Sequence, residues 1–173
     1  NGYGPSRFEG SARATVVRAQ LQGSIGFGPI FELATSLRGQ ASKGPLLNYD
    51  DFAVGNLTIG RGYDPGSVVG DDGVGYQVEL RGPQLAPFGD FDLAFQPFLF
   101  NDVSWIWDDT RGSALDPQKL VSFGGGVRAR LGNRFRFDLM LAVPTERFGL
   151  LNEKPDPRLL FTFTTLLLPW GDR

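Results

Sequence analysis

The chain has 173 residues, no cysteine, no histidine and a formal net charge of -2. Without cysteine or histidine there is no disulfide scaffold, no thiol chemistry, no Cys/His zinc site and no Ser-His-Asp or Cys-His catalysis. Nor is there a basic excess to bind nucleic acid, or a block of like charge that reads as a tail.

The composition is polar on average yet aromatic-rich: the mean hydropathy is -0.14, with 24 Gly, 12 Pro and 15 Phe. A soluble all-β domain fits this, and so does a membrane barrel whose polar interior offsets an apolar exterior. No run of about 18 apolar residues occurs, so no helix is expected to span a bilayer. Strands are then the only means of crossing one. No secretory signal opens the chain and Asn1 is not an initiator Met, so the N-terminus reads as processed or truncated.

Period-2 alternation marks the strands, because successive side chains point to opposite faces. The first run, Ser11–Gln22, is the weakest. Thr15, Val17, Ala19 and Leu21 oppose Arg18, Gln20 and Gln22, while Arg13 falls on the apolar side and is expected near a membrane surface. Phe31–Ser42 sets Phe31, Leu33, Thr35 and Leu37 against Glu32, Ala34, Ser36, Arg38 and Gln40. Val74–Arg81 sets Val74, Tyr76, Val78 and Leu80 against Gly75, Gln77, Glu79 and Arg81. Phe91–Trp105 puts Phe91, Leu93, Phe95 and Leu99 opposite Asp92, Gln96, Phe98, Phe100 and Asp102. In Leu120–Leu131, Val121, Phe123, Val127, Ala129 and Leu131 oppose Ser122, Gly124, Gly126, Arg128 and Arg130. Arg134–Pro144 is the cleanest, with Phe135, Phe137, Leu139, Leu141 and Val143 opposite Arg134, Arg136, Asp138, Met140 and Ala142. In Leu159–Leu168, Phe161, Phe163, Thr165 and Leu167 share a face.

A soluble sandwich or lipocalin-like barrel also alternates. Here, though, the runs reach about 9–13 residues, as a tilted membrane strand needs, against about 5–6 in soluble sheets. The polar face carries full charges of both signs, as a water-filled lumen allows. Connections also alternate in length. Gly23–Gly28 and Gly132–Asn133 are short and Arg81–Asp90 is a moderate Pro/Gly turn, whereas Lys43–Gly73, Ile106–Lys119 and Thr145–Arg158 are long. Short periplasmic turns and long external loops make that pattern, with the C-terminus periplasmic. The fold expected is therefore all-β, an antiparallel transmembrane β-barrel. About seven strands cannot close such a barrel, because bacterial ones use even numbers from about eight upward. Open edges in lipid would leave backbone groups unsatisfied, so the remainder precedes Asn1 or comes from another chain.

The segment from Asp50 to Arg81 reads DDFAVGNLTIGRGYDPGSVVGDDGVGYQVELR. Phe52 and Gly55 precede Ile59-Gly60-Arg61-Gly62-Tyr63, then come Gly70-Asp71-Asp72-Gly73 and a strand with Glu79. Phe100-Asn101-Asp102-Val103-Ser104 follows on the next strand, then Gly124-Gly125-Gly126, Asp138, Pro144 and an aromatic last strand through Phe161 and Phe163. This combination, over about Phe31 to Leu168, resembles the two-partner secretion transporters, the haemolysin and filamentous-haemagglutinin secretion/activation family of barrels with periplasmic POTRA domains. The resemblance implies that residues 1–173 are the C-terminal part of an outer-membrane barrel of about sixteen strands, with an inward-folding loop over 43–73. It implies that Arg61, Gly62 and Tyr63 form the loop tip and Gly70, Asp71 and Gly73 its return. Asp102 would be the lumen partner of Arg61, with Glu79 and Phe100 beside it. Ser104 stands where the family has Gly, and Pro169–Arg173 extend past the usual terminal Phe.

Elementary chemistry is compatible with those roles. Arg61 among carboxylates makes a bidentate, charge-assisted pair, flanking Gly60 and Gly62 permit a sharp reversal, and Tyr63 and Phe100 are placed to stack on the guanidinium. A loop of about thirty residues without secondary structure is unusual unless functional. Gly124–Gly126 leave room for something to approach the sheet, and the inserted loop is the expected occupant. Neither glycine-rich stretch follows a strand and opens a helix, so no phosphate site is expected. Asp71-Asp72 and Asp108-Asp109 lack EF-hand spacing and read as solvated loop residues rather than Ca²⁺ ligands. Asn56-Leu57-Thr58 is a glycosylation sequon without meaning in a bacterial outer membrane. Trp105, Trp107 and Trp170 fall where an aromatic girdle would.

The function expected is a protein-conducting pore that exports a large partner exoprotein without ATP. Arg18, Arg38, Arg128, Arg130 and Arg136 would line its lumen with Glu32, Glu79, Asp92, Asp102 and Asp138, and mixed signs suit a hydrated path. A barrel-assembly or insertase factor of the same superfamily, and a structural anchor within a larger complex, are the alternatives. Nothing forms a nucleophile–base pair, so no enzyme activity, cofactor or metal is expected. The partners expected are the exoprotein, outer-membrane lipid and lipopolysaccharide, and the rest of the barrel with its POTRA domains.

Overall fold

In the computed structural model the described residues are 10, 13–55, 57–88, 92–108, 117–149 and 154–166. The strands are β1 (Thr15–Phe27), β2 (Phe31–Lys43), β3 (Phe52–Ala53), β4 (Val69–Gly70), β5 (Asp72–Arg81), β6 (Leu85–Phe88), β7 (Leu93–Trp107), β8 (Gln118–Leu131), β9 (Phe135–Pro144) and β10 (Arg158–Thr165). The main sheet runs β1-β2-β5-β7-β8-β9-β10, with β6 paired to the side of β7 and β3-β4 forming a separate small hairpin. Every pairing is antiparallel. Sequential strands joined by turns at one end and long links at the other produce this up-and-down order.

The register aligns the alternating faces of all seven main strands. One transverse row reads Ile25, Leu33, Leu80, Leu99, Gly125, Leu141, Leu159. Its side chains stand in the open: Ile25 is 65% exposed, Leu99 63% and Leu159 71%. A continuous apolar band of that width has no place against water; it is the outer face of a membrane barrel. Aromatic rings flank the band, with Tyr76 beside Trp105 at the loop end and Phe135, Phe137 and Phe163 packed together at the turn end. The opposite face carries the charges and, toward the loop end, the buried residues.

Several boundaries differ from the sequence expectation. The first strand does not stop at Gln22 but continues to Phe27, and the turn is Gly28-Pro29-Ile30. Gly23 and Gly26 look like turn residues, yet they pair with Thr35 and Glu32 and keep the parity set by Leu21, Ile25 and Phe27. Arg13 precedes the strand and so takes no place on its apolar face. The Pro/Gly connection after Arg81 contains β6, whose Leu85 and Phe88 pair with Phe95 and Leu93. A short marginal strand tolerates Pro87, because an unpaired side needs no N–H donor. The long loop is not free of secondary structure either, since Phe52 pairs with Gly70 and Ala53 with Val69. Trp170, Asp109, Asn56 and the terminal Pro169–Arg173 lie outside the described residues.

Among the described residues β1 and β10 each have a main-sheet neighbour on one side only, so the sheet does not close on itself.

Candidate functional site

The link between β2 and β5 folds back over the polar face of the sheet. Its ascending limb is fixed at the base, where Leu46 N–H donates to Asp71 Oδ1 at 2.6 Å and Ser42 N–H to Asp72 Oδ1 at 2.5 Å. The β3–β4 pairing then brings the two limbs together. Phe52, Val54, Tyr63 and Val68 pack against Ile106 and Leu120 of the sheet in one buried core, with Phe148 beside them. The loop therefore buries an apolar underside of its own, which stabilises its seat before any charge is counted.

The tip is a tight turn in which Tyr63 N–H donates to Gly60 C=O at 2.9 Å. Gly60 has φ +86°, a conformation that an L side chain resists. Gly62 is needed for a different reason. A Cβ there would lie 2.8 Å from Ser122 Cβ and 2.9 Å from Pro144 N, so the backbone runs directly against the sheet wall. The glycines on either side of Arg61 thus do separate jobs, one conformational and one steric.

Arg61 is aimed by this turn into a cluster of acceptors. Asp102 accepts four hydrogen bonds: from Gly60 N–H (3.2 Å), Arg61 N–H (3.0 Å), Arg61 Nε (3.0 Å) and Arg61 Nη2 (2.8 Å). Arg61 Nη1 also donates to Glu79 Oε2 at 3.0 Å. Asp102 is wholly buried and the Arg61 side chain is 6% exposed. Such a charge is tolerated in the interior only because every partner is in place. Burial works against the charge on Arg61, but the hydrogen bonds and charges of Asp102 and Glu79 outweigh it and hold its pKa above the ordinary arginine value. The guanidinium carbon also sits 3.6 Å from the centre of the Phe100 ring.

Glu79 ties this pair to a wider network. It accepts from Arg81 Nε at 2.8 Å, and from Arg128 Nη1 at 2.6 Å and Nη2 at 3.0 Å. Arg128 Nε lies 3.2 Å from Asp138 Oδ1, its guanidinium covers Phe98, and Arg81 reaches Glu32. The row of charges crosses β2, β5, β7, β8 and β9.

Tyr63 does not stack on Arg61. Its ring meets Phe148 edge-on at 5.8 Å, and its hydroxyl lies 2.9 Å from Val121 C=O and 3.2 Å from Glu146 C=O. Burial pushes the phenol pKa up, so the group stays a neutral donor. Gly70 and Gly73 leave space for Trp107 C=O and the Phe52 ring respectively. Asp71, besides capping Leu46, accepts from Gln40 through its backbone carbonyl.

The glycine triplet does not receive the loop. The volume over Gly124 is taken by the Phe100 ring, that over Gly126 by Met140 and that over Gly125, on the outer face, by Leu99. All three occupants come from adjacent strands. Gly124 lets Phe100 lie flat, and Arg61 then rests on Phe100. The sheet glycines that do receive the loop are on β5: the Phe52 ring lies over Gly73, and Ile59 lies 2.9 Å from a Cβ position at Gly75. Arg130 and Arg136 stand apart at the turn end, directly opposite each other in the β8–β9 register. With Arg81, Gln96, Arg128 and Asp138 they line a cleft of about 450 Å³. Arg158, which the sequence marked only as the end of a link, is the missed site residue. Its Nη1 donates to Tyr63 C=O and its Nη2 pairs with Asp64 Oδ1 at 3.0 Å.

A solved structure, CdiB from Acinetobacter baumannii, shares the fold with a TM-score of 0.62 at 20% sequence identity, over 88% of this chain and 26% of that protein. The chain thus spans about a quarter of the length of that relative. No curated protein sequence matches. Residues 6–129, well over half of the chain, match the model of the haemolysin secretion/activation protein family, and on that match the chain belongs to the ShlB/FhaC/HecB family.

Proposed function

We propose that this chain is the C-terminal part of an outer-membrane barrel of about sixteen strands, which exports a large partner protein from the periplasm to the surface of a Gram-negative cell. The reading rests on family membership, and one observation carries it: the loop over 43–73 lies along the charged face of the sheet with Arg61 buried between Asp102 and Glu79. A loop that fills a pore interior yet is held by polar contacts and a small core is suited to hold the path and to yield it. Mixed charge along the wall favours a hydrated route that grips no single sign tightly. In this arrangement the short turns and the C-terminus face the periplasm, lipid and lipopolysaccharide meet the Leu99 band, and POTRA domains and further strands complete the protein.

The test is Arg61→Ala in the full-length transporter, co-expressed with its partner. Less partner in the medium is expected, with an unchanged amount of heat-modifiable barrel in the outer membrane. Wild-type secretion would sink the proposal. Loss of the barrel itself would assign Arg61 to assembly instead.

A further inference from the structure

We infer that Arg158 is a second anchor of the loop, a positioning residue that latches the tip to β10 independently of the Arg61 cluster. This goes beyond the export reading and does not depend on it, since it concerns where the loop is held.

The register places the two anchors on one transverse row of the inner face: Glu79, Phe100, Gly124, Ala142, Arg158. Glu79 at one end takes the guanidinium of Arg61. Arg158 at the other end, on β10, takes the main-chain carbonyl of Tyr63 and the carboxylate of Asp64. The three residues between them keep the wall low. Phe100 lies flat over Gly124, and Ala142 is wholly buried with no side chain beyond Cβ. One strand-row further toward the loop end, Ser122 and Pro144 are opposite each other and meet Gly62. The backbone from Arg61 to Asp64 thus crosses β7, β8 and β9 in contact with small side chains and is pinned at both ends of the crossing.

The two pins differ in kind. Arg61 is buried and multiply bonded. The Arg158 side chain is 23% exposed and Asp64 is 79% exposed, so water competes for this pair and it is the weaker, faster contact. The latch joins the loop tip to β10, at the far end of the crossing from Glu79. Any displacement of β10 away from β9 loosens the tip, and an unseated tip frees β10 in equal measure, because such coupling is reciprocal.

The chain's lack of cysteine supplies the readout. Val68, in the loop core, is 4% exposed. In the full-length protein, with any cysteine outside these residues first replaced by Ser and Val68→Cys then introduced, maleimide labelling from outside measures how often the loop leaves its seat. Arg158→Gln is expected to raise the labelling rate about tenfold, the loss of one charge-assisted bond to a buried-side carbonyl, with heat-modifiability unchanged. Arg158→Lys, which keeps a charge but only one donor direction, should fall between. Asp64→Asn, at an exposed site that cannot threaten folding, should raise it about twofold. Asp64→Asn should add nothing once Arg158 is Gln, since the pair acts as one contact. An unchanged rate in Arg158→Gln overturns the proposal. So does an Asp64→Asn effect that persists in full in the Arg158→Gln background. Secretion plays no part in this readout, so failure of the latch and failure of the export reading are separately visible.

Discussion

The two ends of the same strands are built to opposite rules. At the loop end, Ile106, Leu120, Ser104 and Ser122 on the inner face are buried under the folded-back loop, and Asp102 and Arg61 are enclosed with every strong partner satisfied. At the turn end, the inner-face residues of those strands, Arg130 and Arg136, are exposed and face each other with no hydrogen bond or ion pair among the described residues. The outer faces of the two ends do not differ in this way; both are apolar with aromatic rings. The contrast therefore lies on the inner face alone. What fills that face at one end is a segment of the chain, and what fills it at the other is open cleft. The loop that covers the polar wall at one end is held there by charge at its tip and by an apolar underside.

The comparison is broken most directly at Asp102. Asp102→Ala removes the acceptor of four hydrogen bonds and leaves Arg61 buried beside one carboxylate. Stranding a buried charge costs about 3–5 kcal/mol. That cost falls on the seated loop alone, so the loop should leave its seat more often even with its apolar core intact. Limited proteolysis of intact cells should then cut within 43–73, while the barrel stays heat-modifiable. Wild-type resistance would mean that the core of Phe52, Val54 and Tyr63 holds the loop and the ion pair does not.

A smaller effect is expected from the sheet side. Gly75→Val puts methyl groups where Ile59 and Ser104 already stand, at 2.9 Å and 3.2 Å from the Cβ alone. Overpacking of this kind costs about 1–3 kcal/mol. The same digestion should show partial cleavage, less than for Asp102→Ala. Cleavage equal to or above that of Asp102→Ala would move the chief support of the loop from charge to packing.

How far these features were legible in the sequence follows from what each depends on. The seven long strands were readable because each face meets a single kind of surroundings, so parity is repeated over ten or so residues. Two-residue pairings such as Phe52 with Gly70 carry no period and left no trace. Gly23 and Gly26 misled because glycine marks turns more often than strand interiors, and only the pairing with Thr35 and Glu32 decides between them. The triplet at Gly124 signals close approach without naming what approaches, and Phe100 and Met140 are as good an answer as a loop. Arg61, Glu79 and Asp102 were named together through family resemblance, not spacing. Arg158 was missed since its partner lies 95 residues away and the contact is partly to a backbone carbonyl, which any residue presents.

The smallest structural effect belongs to the turn end. Arg130→Gln with Arg136→Gln removes two like charges that sit directly opposite, an arrangement that is unfavourable in a sheet. Neither side chain has a hydrogen bond or ion pair with the loop among the described residues, so proteolysis within 43–73 should stay at the wild-type level. The effect should show in the field of the cleft instead. Two guanidiniums with no ion-pair partner among the described residues raise the local concentration of anions, whereas Arg61, Arg81 and Arg128 are already neutralised by Glu32, Glu79, Asp102 and Asp138. In planar bilayers under a salt gradient, the reversal potential of the full-length double variant should therefore shift toward cation preference relative to wild type. If the potential does not move, the turn end is not on the ion path, and the division of the inner face into a plugged half and a conducting half fails. If loop cleavage rises as well, the two ends are coupled, and the seat of the loop extends further down the wall than its contacts reach.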